Sequence, residues 1–412
     1  MRISTLQSFN QGLNSIMDNQ SQVSKTQQQV STGRRVLTPA DDPIAATKIL
    51  QLQQDSALRE QFGKNMTGAK GRLALEETQM AGITENLDRL KELTIQAGGG
   101  GVNISDRQAI AFEVNVILEA TVDLMNSKDA GGEYLFGGFK GNTQPFQKNE
   151  NGRYDYAGDE GQRFISIASS TTVATGDNGK KLFVDVKASD NTFNTQVNPT
   201  NGGTGVINPG FVVDQEEYDK LYPEDLIITF NPETTISPPG PNYTVRQASD
   251  GRVVEGVDNR AFKPSDKVII AGLELKISGK VQPGDEFLVN SSEKQSLTDT
   301  LYRLKDGLNS LEDIPVDSEA LKNLLANTLD NLDNAQASIS QIRSEVGARL
   351  NVVENTEAQA ADIDLVSKEV LSKISDVDFA EAVSRLSLQT FLLETAQQSY
   401  AKIQNLSLFN RL

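Results

Sequence analysis

Asp41 and Asp42 are the first residues whose type and spacing could do chemistry. Paired acids can divide general-acid and general-base work between them. Neighbours in sequence seldom face one substrate, however, and Pro43 follows at once. The pair therefore reads as a loop and helix N-cap ahead of a first-turn proline. Gly98 to Gly101 could cradle a phosphate. That run follows a helical stretch, not a strand, and no Gly-Lys-Ser/Thr comes after it. Asn201-Gly202-Gly203-Thr204-Gly205 has the look of a calcium-repeat turn, without the aspartate and without a second copy. No EF-hand spacing is present. Arg34 and Arg35 form a small basic spot without aromatic neighbours, which suits contact to an acidic surface better than to nucleic acid. Cys, Trp and His are all absent. Disulfides, thiolate nucleophiles, histidine bases and Cys/His metal sites are thereby excluded. No catalytic residue, cofactor site or metal site is expected.

The bulk properties point the same way. The chain has 412 residues, room for two or three domains, and 37% hydrophobic content marks most of it as globular. A net charge of -17 repels nucleic acid and anionic membrane surfaces, so neither is an expected partner. No run of apolar residues is long enough to span a membrane. The opening MRISTLQSFNQGLNSI lacks the continuous apolar core of a cleavable secretory signal.

The elements that would position these residues are mostly helices. A first helix is expected over 1–32, stopped at Gly33, followed by a proline-rich loop over 36–43. A second runs from about 44 to 97, with Met66, Leu73, Met80, Ile83, Leu87 and Leu90 at three-four spacing. About 50 residues at ~1.5 Å each span roughly 75 Å, the length of a rod. A third is expected over 104–128, with Ile110, Val114, Ile117, Thr121 and Leu124 on one face. From Gly131 to about Asn290 the chain reads as β. Short runs such as 163–168, 181–186, 225–230, 267–278 and 286–290 are bounded by turn residues, which suggests a sandwich or small barrel. Helical signals return at Ser291. One helix ends near Pro315, another runs over 317–360, and a loop over 362–378 leads into the last.

The fold class expected is α+β and multi-domain. Both chain ends form a long antiparallel helical bundle or rod, with an all-β outer domain inserted between them. The division is 1–40 with 365–412 as terminal coiled-coil assembly helices, disordered in the monomer, 41–135 with 291–364 as rod, and 136–290 as inserted β domain.

The two ends carry the strongest signal. Phe9, Ile16, Val23 and Val30 recur every seven residues, and Leu6 and Leu13 start a second line. Val383, Leu386, Thr390, Leu393, Ala396, Tyr400 and Ile403 repeat at the same spacing behind. Glutamines fill the remaining faces. So narrow a stripe buries too little apolar area to offset the entropy of ordering, so such ends order only against a partner. That partner is either the opposite terminus or another subunit. The expected assembly contacts are Leu6, Phe9, Leu13, Ile16, Val23 and Val30 in front. Behind, they are Leu386, Leu393, Tyr400, Ile403, Leu406 and Phe409.

The front helix, the STGRR turn, the ADDP loop with Arg34, Arg35, Asp41, Asp42 and Pro43, and the terminal SYAKIQNLSLFNRL resemble the flagellin superfamily. The likeness covers about 1–140 and 291–412. The opening Met1-Arg2-Ile3-Ser4-Thr5, the stretch Leu37 to Pro43, Glu133-Tyr134-Leu135-Phe136-Gly137-Gly138 and the phrase from Leu273 to Phe287 look like its hook-associated, junction-forming members more than plain flagellins. The resemblance implies a non-enzymatic, extracellular subunit of the bacterial flagellum, exported without a cleaved signal peptide. It implies a ring of about eleven copies between hook-associated protein 1 and flagellin. It also implies an export chaperone on the C-terminal helix. A filament subunit, or a stalked β-domain adhesin or enzyme, is the alternative.

Overall fold

A computed structural model describes residues 5–149, 152–312 and 314–409, without the side chains of 5, 6, 8, 9, 315, 316 and 403–409. The fold is α+β. Helices α1 (Thr5–Thr32), α2 (Pro43–Ala97) and α3 (Ile104–Met125) come first. Strands β1 (Phe146–Lys148), β2 (Tyr154–Tyr156), β3 (Phe164–Ser166), β4 (Thr172–Ala174), β5 (Lys187–Val197), β6 (Val206–Ile207) and β7 (Phe211–Val212) follow. Then come the short helix α4 (Gln215–Asp219) and strands β8 (Leu226–Asn231), β9 (Asn242–Gln247), β10 (Arg260–Ala261), β11 (Lys267–Ile270), β12 (Leu273–Ser278) and β13 (Glu286–Lys294). Helices α5 (Leu297–Ser310), α6 (Pro315–Ser375) and α7 (Phe379–Phe409) close the chain.

The chain forms two compact units. One comprises Met1–Asn65 with Glu354–Leu412, the other Met66–Val353. In the second, α2 buries Met66, Leu73, Met80, Ile83, Leu87 and Leu90, and α6 buries Leu332, Ala335, Ile339, Ile342 and Val346. Each such side chain contributes roughly 1.5–3 kcal/mol. On α3 the centre of the buried face is Ile110, Val114, Leu118, Thr121, Val122 and Met125, so Ile117 and Leu124 lie to its side. The β region is a sandwich. One sheet runs β10-β9-β8-β13-β5, the other β11-β12-β6, with β7 on β12. Phe193, Ile228, Phe230 and Phe287 of the first meet Ile207, Ile270, Leu275 and Ile277 of the second in one core.

Several expected elements differ. Residues 181–186 do not form a strand; Lys180–Val184 is a single π-helical turn. Leu182 and Phe183 are adjacent and both buried, whereas a strand would send them to opposite faces. The loop expected over 362–378 shrinks to 376–378, because α6 continues to Ser375. Ion pairs at i,i+4, Lys368 to Asp364 (2.6 Å) and Lys373 to Glu369 (2.7 Å), support that stretch. Helix α3 stops at Met125, not 128, because the Asn126 side chain bonds both backbone groups of Phe146 (2.9 Å each). β13 likewise reaches Lys294, and α5 begins only after the Ser296 N-cap.

The β11–β12 hairpin turns on Ala271 (φ 45°) and Gly272 (φ 80°), both left-handed as a type I′ turn requires. The Gly272 carbonyl accepts from Val213 (2.8 Å) and Asp214 (3.1 Å) N–H. A Cβ on Gly272 would lie 2.2 Å from the Asp214 carbonyl oxygen. Gly272→Ala is therefore expected to cost about 2–4 kcal/mol in urea unfolding. Ala271→Gly removes a left-handed Cβ and should cost far less.

One acid is buried among helices and loops of this unit. Glu76 on α2 is 1% exposed; its Oε1 accepts from Asp177 N–H (2.9 Å) and its Oε2 has no partner. Asp177 is held by Arg349 of α6 (2.6 and 3.2 Å) and by Gln162 (2.8 Å). Arg72, one turn before Glu76, turns instead to Asp129 and to the Tyr134 carbonyl (3.3 Å). Burial, and then the Asp177 charge, push the Glu76 carboxyl up to about 8. An acid raised on folding favours the native state only while protonated. Stability should fall as pH rises from about 4.5 toward about 8, by about 2–4 kcal/mol. Urea midpoints at pH 5 and pH 8 measure this, and Glu76→Gln should flatten the difference.

Candidate assembly surface on the terminal helices

α1 ends because Gly33 adopts φ 70°, a left-handed stop. The chain then runs beside the α6–α7 link. Gly33 O accepts from Val377 N–H (2.9 Å), and Arg35 N–H donates to Ser375 O (2.7 Å). The Arg35 guanidinium donates to the Ile374 carbonyl (3.0 and 3.2 Å) at the end of α6. A cation there also meets the negative end of the helix dipole. Arg34 forms a backbone bridge with Asp376. The buried Gln29 side chain donates to Arg35 O (2.7 Å). Two sharp corners, one from each end of the sequence, are thus clasped through backbone groups.

The acids of the first corner have structural partners. Asp42 Oδ1 accepts from Ala45 N–H (3.0 Å) and caps α2, with Pro43 at its first position. Asp41 Oδ2 accepts from Leu37 (3.1 Å) and Thr38 (2.8 Å) N–H, and its Oδ1 meets Lys25 of α1 (2.5 Å). The Lys25 ammonium, helped by those N–H groups, holds the Asp41 carboxyl down to about 2. Asp378 caps α7 through Ala380 (2.9 Å) and Glu381 (3.2 Å) N–H.

α1 and α7 pack against each other, antiparallel. The Tyr400 ring lies by Gly12, and the Phe379 ring by Gly33. The covered face of α1 carries Gly12, Ile16, Asn19, Val23, Thr26 and Val30; that of α7 carries Ala382, Leu386, Gln389, Leu393, Ala396 and Tyr400. Leu393 and Ala382 are buried, and Ile16, Val23, Val30, Leu386 and Tyr400 half-buried. Leu13 is exposed. The covered line on α7 therefore runs through Ala382 and Gln389, where spacing alone suggested Val383 and Thr390. The expected contacts Leu6, Phe9, Ile403, Leu406 and Phe409 lie outside the described side chains.

The sequence stripe missed a second, uncovered apolar set. Phe379, Leu388, Phe391 and Leu392 of α7 stand in solvent beside Val383, as do Ile363, Leu365 and Val366 of α6 and Ile44, Leu50 and Leu58 of α2. Single exposed apolar side chains are ordinary, but this unit carries many of them. The doublets Phe391-Leu392 and Leu365-Val366 were the available signal, since one of each pair must leave a single stripe. Among the described residues no acid, His or Cys cluster has metal-ligand geometry. No helix there is long and apolar enough to cross a membrane.

A chain that clasps its two helical ends, leaves apolar faces on them uncovered and carries a β sandwich between them is built as a structural subunit. Its first part, residues 3–140, matches the bacterial flagellin N-terminal helical region, and residues 329–412 match the C-terminal helical region. These matches take in more than half of the chain, and the chain belongs to the flagellin superfamily. Over 99% of both chains it is 24% identical to flagellar hook-associated protein 3 of Salmonella typhimurium. A crystal structure of flagellar hook-associated protein 3 from Legionella pneumophila is similar at 28% identity and TM-score 0.54, covering 79% of this chain and 98% of that one. The FlgL structure from Xanthomonas campestris is similar at 26% identity and TM-score 0.52, covering 78% and 99%.

The two apolar sets of α7 should separate by mutation. Phe391 is 63% exposed and Leu393 is 8% exposed. Phe391→Asp should leave thermal unfolding of the monomer within about 0.5 kcal/mol, whereas Leu393→Asp should cost about 2–4 kcal/mol. An unchanged melt for Leu393→Asp would show that the α1–α7 seam is open in the free chain.

Proposed function

We propose that this chain is the hook–filament junction subunit of the bacterial flagellum. In this role it is extracellular and not an enzyme. It joins hook-associated protein 1 to flagellin, as a ring of about eleven copies, and the filament grows from it. The observation that carries the proposal is the uncovered apolar surface of the terminal helices, from Ile44 to Leu58, Ile363 to Val366 and Phe379 to Leu392. A surface of that kind suits neighbours of the same or a related helical build. The likeness to a hook-associated protein 3 and to a flagellar junction protein supports the place of the subunit. The absence of Cys, His and any metal-ligand cluster among the described residues is consistent with a structural role.

Within that function the three-part division of the sequence has a purpose. Residues 1–40 and 365–412 serve as assembly helices, 41–135 and 291–364 as their support, and 136–290 as the outward β domain. Leu13, with the other front and rear contact residues, joins the covered set once subunits meet. Passage through the export apparatus without a cleaved signal, and a chaperone on the C-terminal helix beforehand, belong to the same proposal.

Immunogold labelling of intact flagella tests the place: a single band at the hook–filament joint is expected. Label along the whole filament would instead make this chain a filament subunit. Phe391→Asp tests the surface. Cells carrying it should make hooks but few filaments, and should release unassembled flagellin into the medium. Normal filament counts by electron microscopy would remove Phe391 from the contact.

A further inference from the structure

Strand β5 is the edge of the five-stranded sheet, and its outward side changes along its length. In an antiparallel ladder, alternate residues turn their N–H and C=O toward the same neighbour. Asn198 N–H donates to Glu286 O in β13 (3.2 Å), so the even-numbered residues near it face β13 and the odd ones face out. In the first half, each outward-facing residue has one of its two backbone groups occupied. Asn334 of α6 donates to Lys187 O (3.0 Å), and Ser189 N–H donates to Asn331 of α6 (2.8 Å). Gln215 donates to Asn191 O (3.1 Å), and Arg303 to Phe193 O. Thr195 and Val197 continue that side, yet no described residue bonds their outward backbone groups.

Strand β2 offers a second such edge. Asn149 N–H donates to Arg153 O and Ala157 N–H to Pro145 O (2.7 Å each), so the odd residues face β1. The backbone groups of Tyr154 and Tyr156 face away and have no described partner. Both edges line one cleft of about 830 Å³. Arg153 bridges its walls, donating to Thr195 Oγ1 (2.9 Å) and Asp299 (2.6 Å). Free strand edges are normally blocked, because each is a template for another strand.

We propose that this cleft binds an extended peptide segment of another protein, which adds as a strand between β2 and β5. With a rise of ~3.3 Å, a strand spacing of ~4.8 Å and a depth of ~10 Å, the space holds about five residues. The charges select the peptide. Asp185 is paired with Lys294 (3.3 Å) and Asp299 with Arg153. Asp155 is exposed and meets only the Asn149 amide (2.8 Å), so its charge is uncompensated. The segment it fits is strand-forming and carries a Lys or Arg opposite Asp155.

Amide hydrogen exchange on the full chain tests this with two blocked pentapeptides, Thr-Val-Lys-Val-Thr and Thr-Val-Glu-Val-Thr. In the free protein the Thr195, Val197, Tyr154 and Tyr156 amides should exchange fast, while those of Asn194 and Gln196 exchange slowly. The lysine peptide at millimolar concentration should slow those four at least tenfold, and the glutamate peptide much less. Asp155→Lys, on an exposed residue, should reverse the preference. Slow exchange of the four amides without peptide, no protection by either peptide, or equal protection by both would each overturn the proposal.

Discussion

A helix with one apolar stripe cannot stand alone; it must lay that stripe against something. Most features of this chain follow from that constraint. In the unit built from Met66–Val353, the stripes of α2, α3, α5 and α6 find cover within the chain, and side chains such as Leu73, Leu87 and Leu304 reach complete burial. In the unit built from both ends the same constraint is met only in part. α1 covers one line of α7, through small and polar residues such as Gly12, Thr26 and Gln389, and a second apolar set stays in solvent. The division of labour between the units is a difference in how fully their stripes are covered.

The corner clasp lets those ends meet in register. Its bonds run mainly from backbone to backbone and from Arg35 to a helix-terminal carbonyl, so they need correct turns more than particular side chains. Gly33 supplies the left-handed turn, Asp41 satisfies the loop N–H groups of Leu37 and Thr38, and Asp42 satisfies an N–H that the start of α2 leaves without a partner. The two acids that looked like a reactive pair are thus spent on chain geometry. Buried polar groups in the other unit act similarly. Arg303, fully enclosed, ties Thr192, Gln295 and the Phe193 carbonyl together, which joins the sandwich edge to α5.

Much of this was legible in residue order. Three-four spacing located α1, α2, α6 and α7, and turn residues located β3, β8, β11, β12 and β13, because those signals are local. Short elements were misread where one tertiary contact overrode the pattern. Residues 181–186 have strand-forming side chains, yet adjacent burial of Leu182 and Phe183 required a helical turn. Helix α6 outran its apolar stripe because charged pairs along its exposed side sustain it. The contact between α1 and α7 was half legible. Periodicity found the covered line, with errors of one residue at Ala382 and Gln389, but it has no means of marking the apolar residues that lie off the stripe.

By itself, then, the sequence determined the class of the protein: helical ends with narrow stripes and a β insert between them. These depend on composition and periodicity, which need no partner to be read. Only the tertiary structure decided which apolar residues remain uncovered, that Glu76 is buried with one carboxylate oxygen unbonded, and which strand edges stay open. Leu393 and Phe391 are two residues apart and equally apolar, yet one faces α1 and the other faces water. Burial belongs to the arrangement of elements in space, so no property of either residue type could separate them.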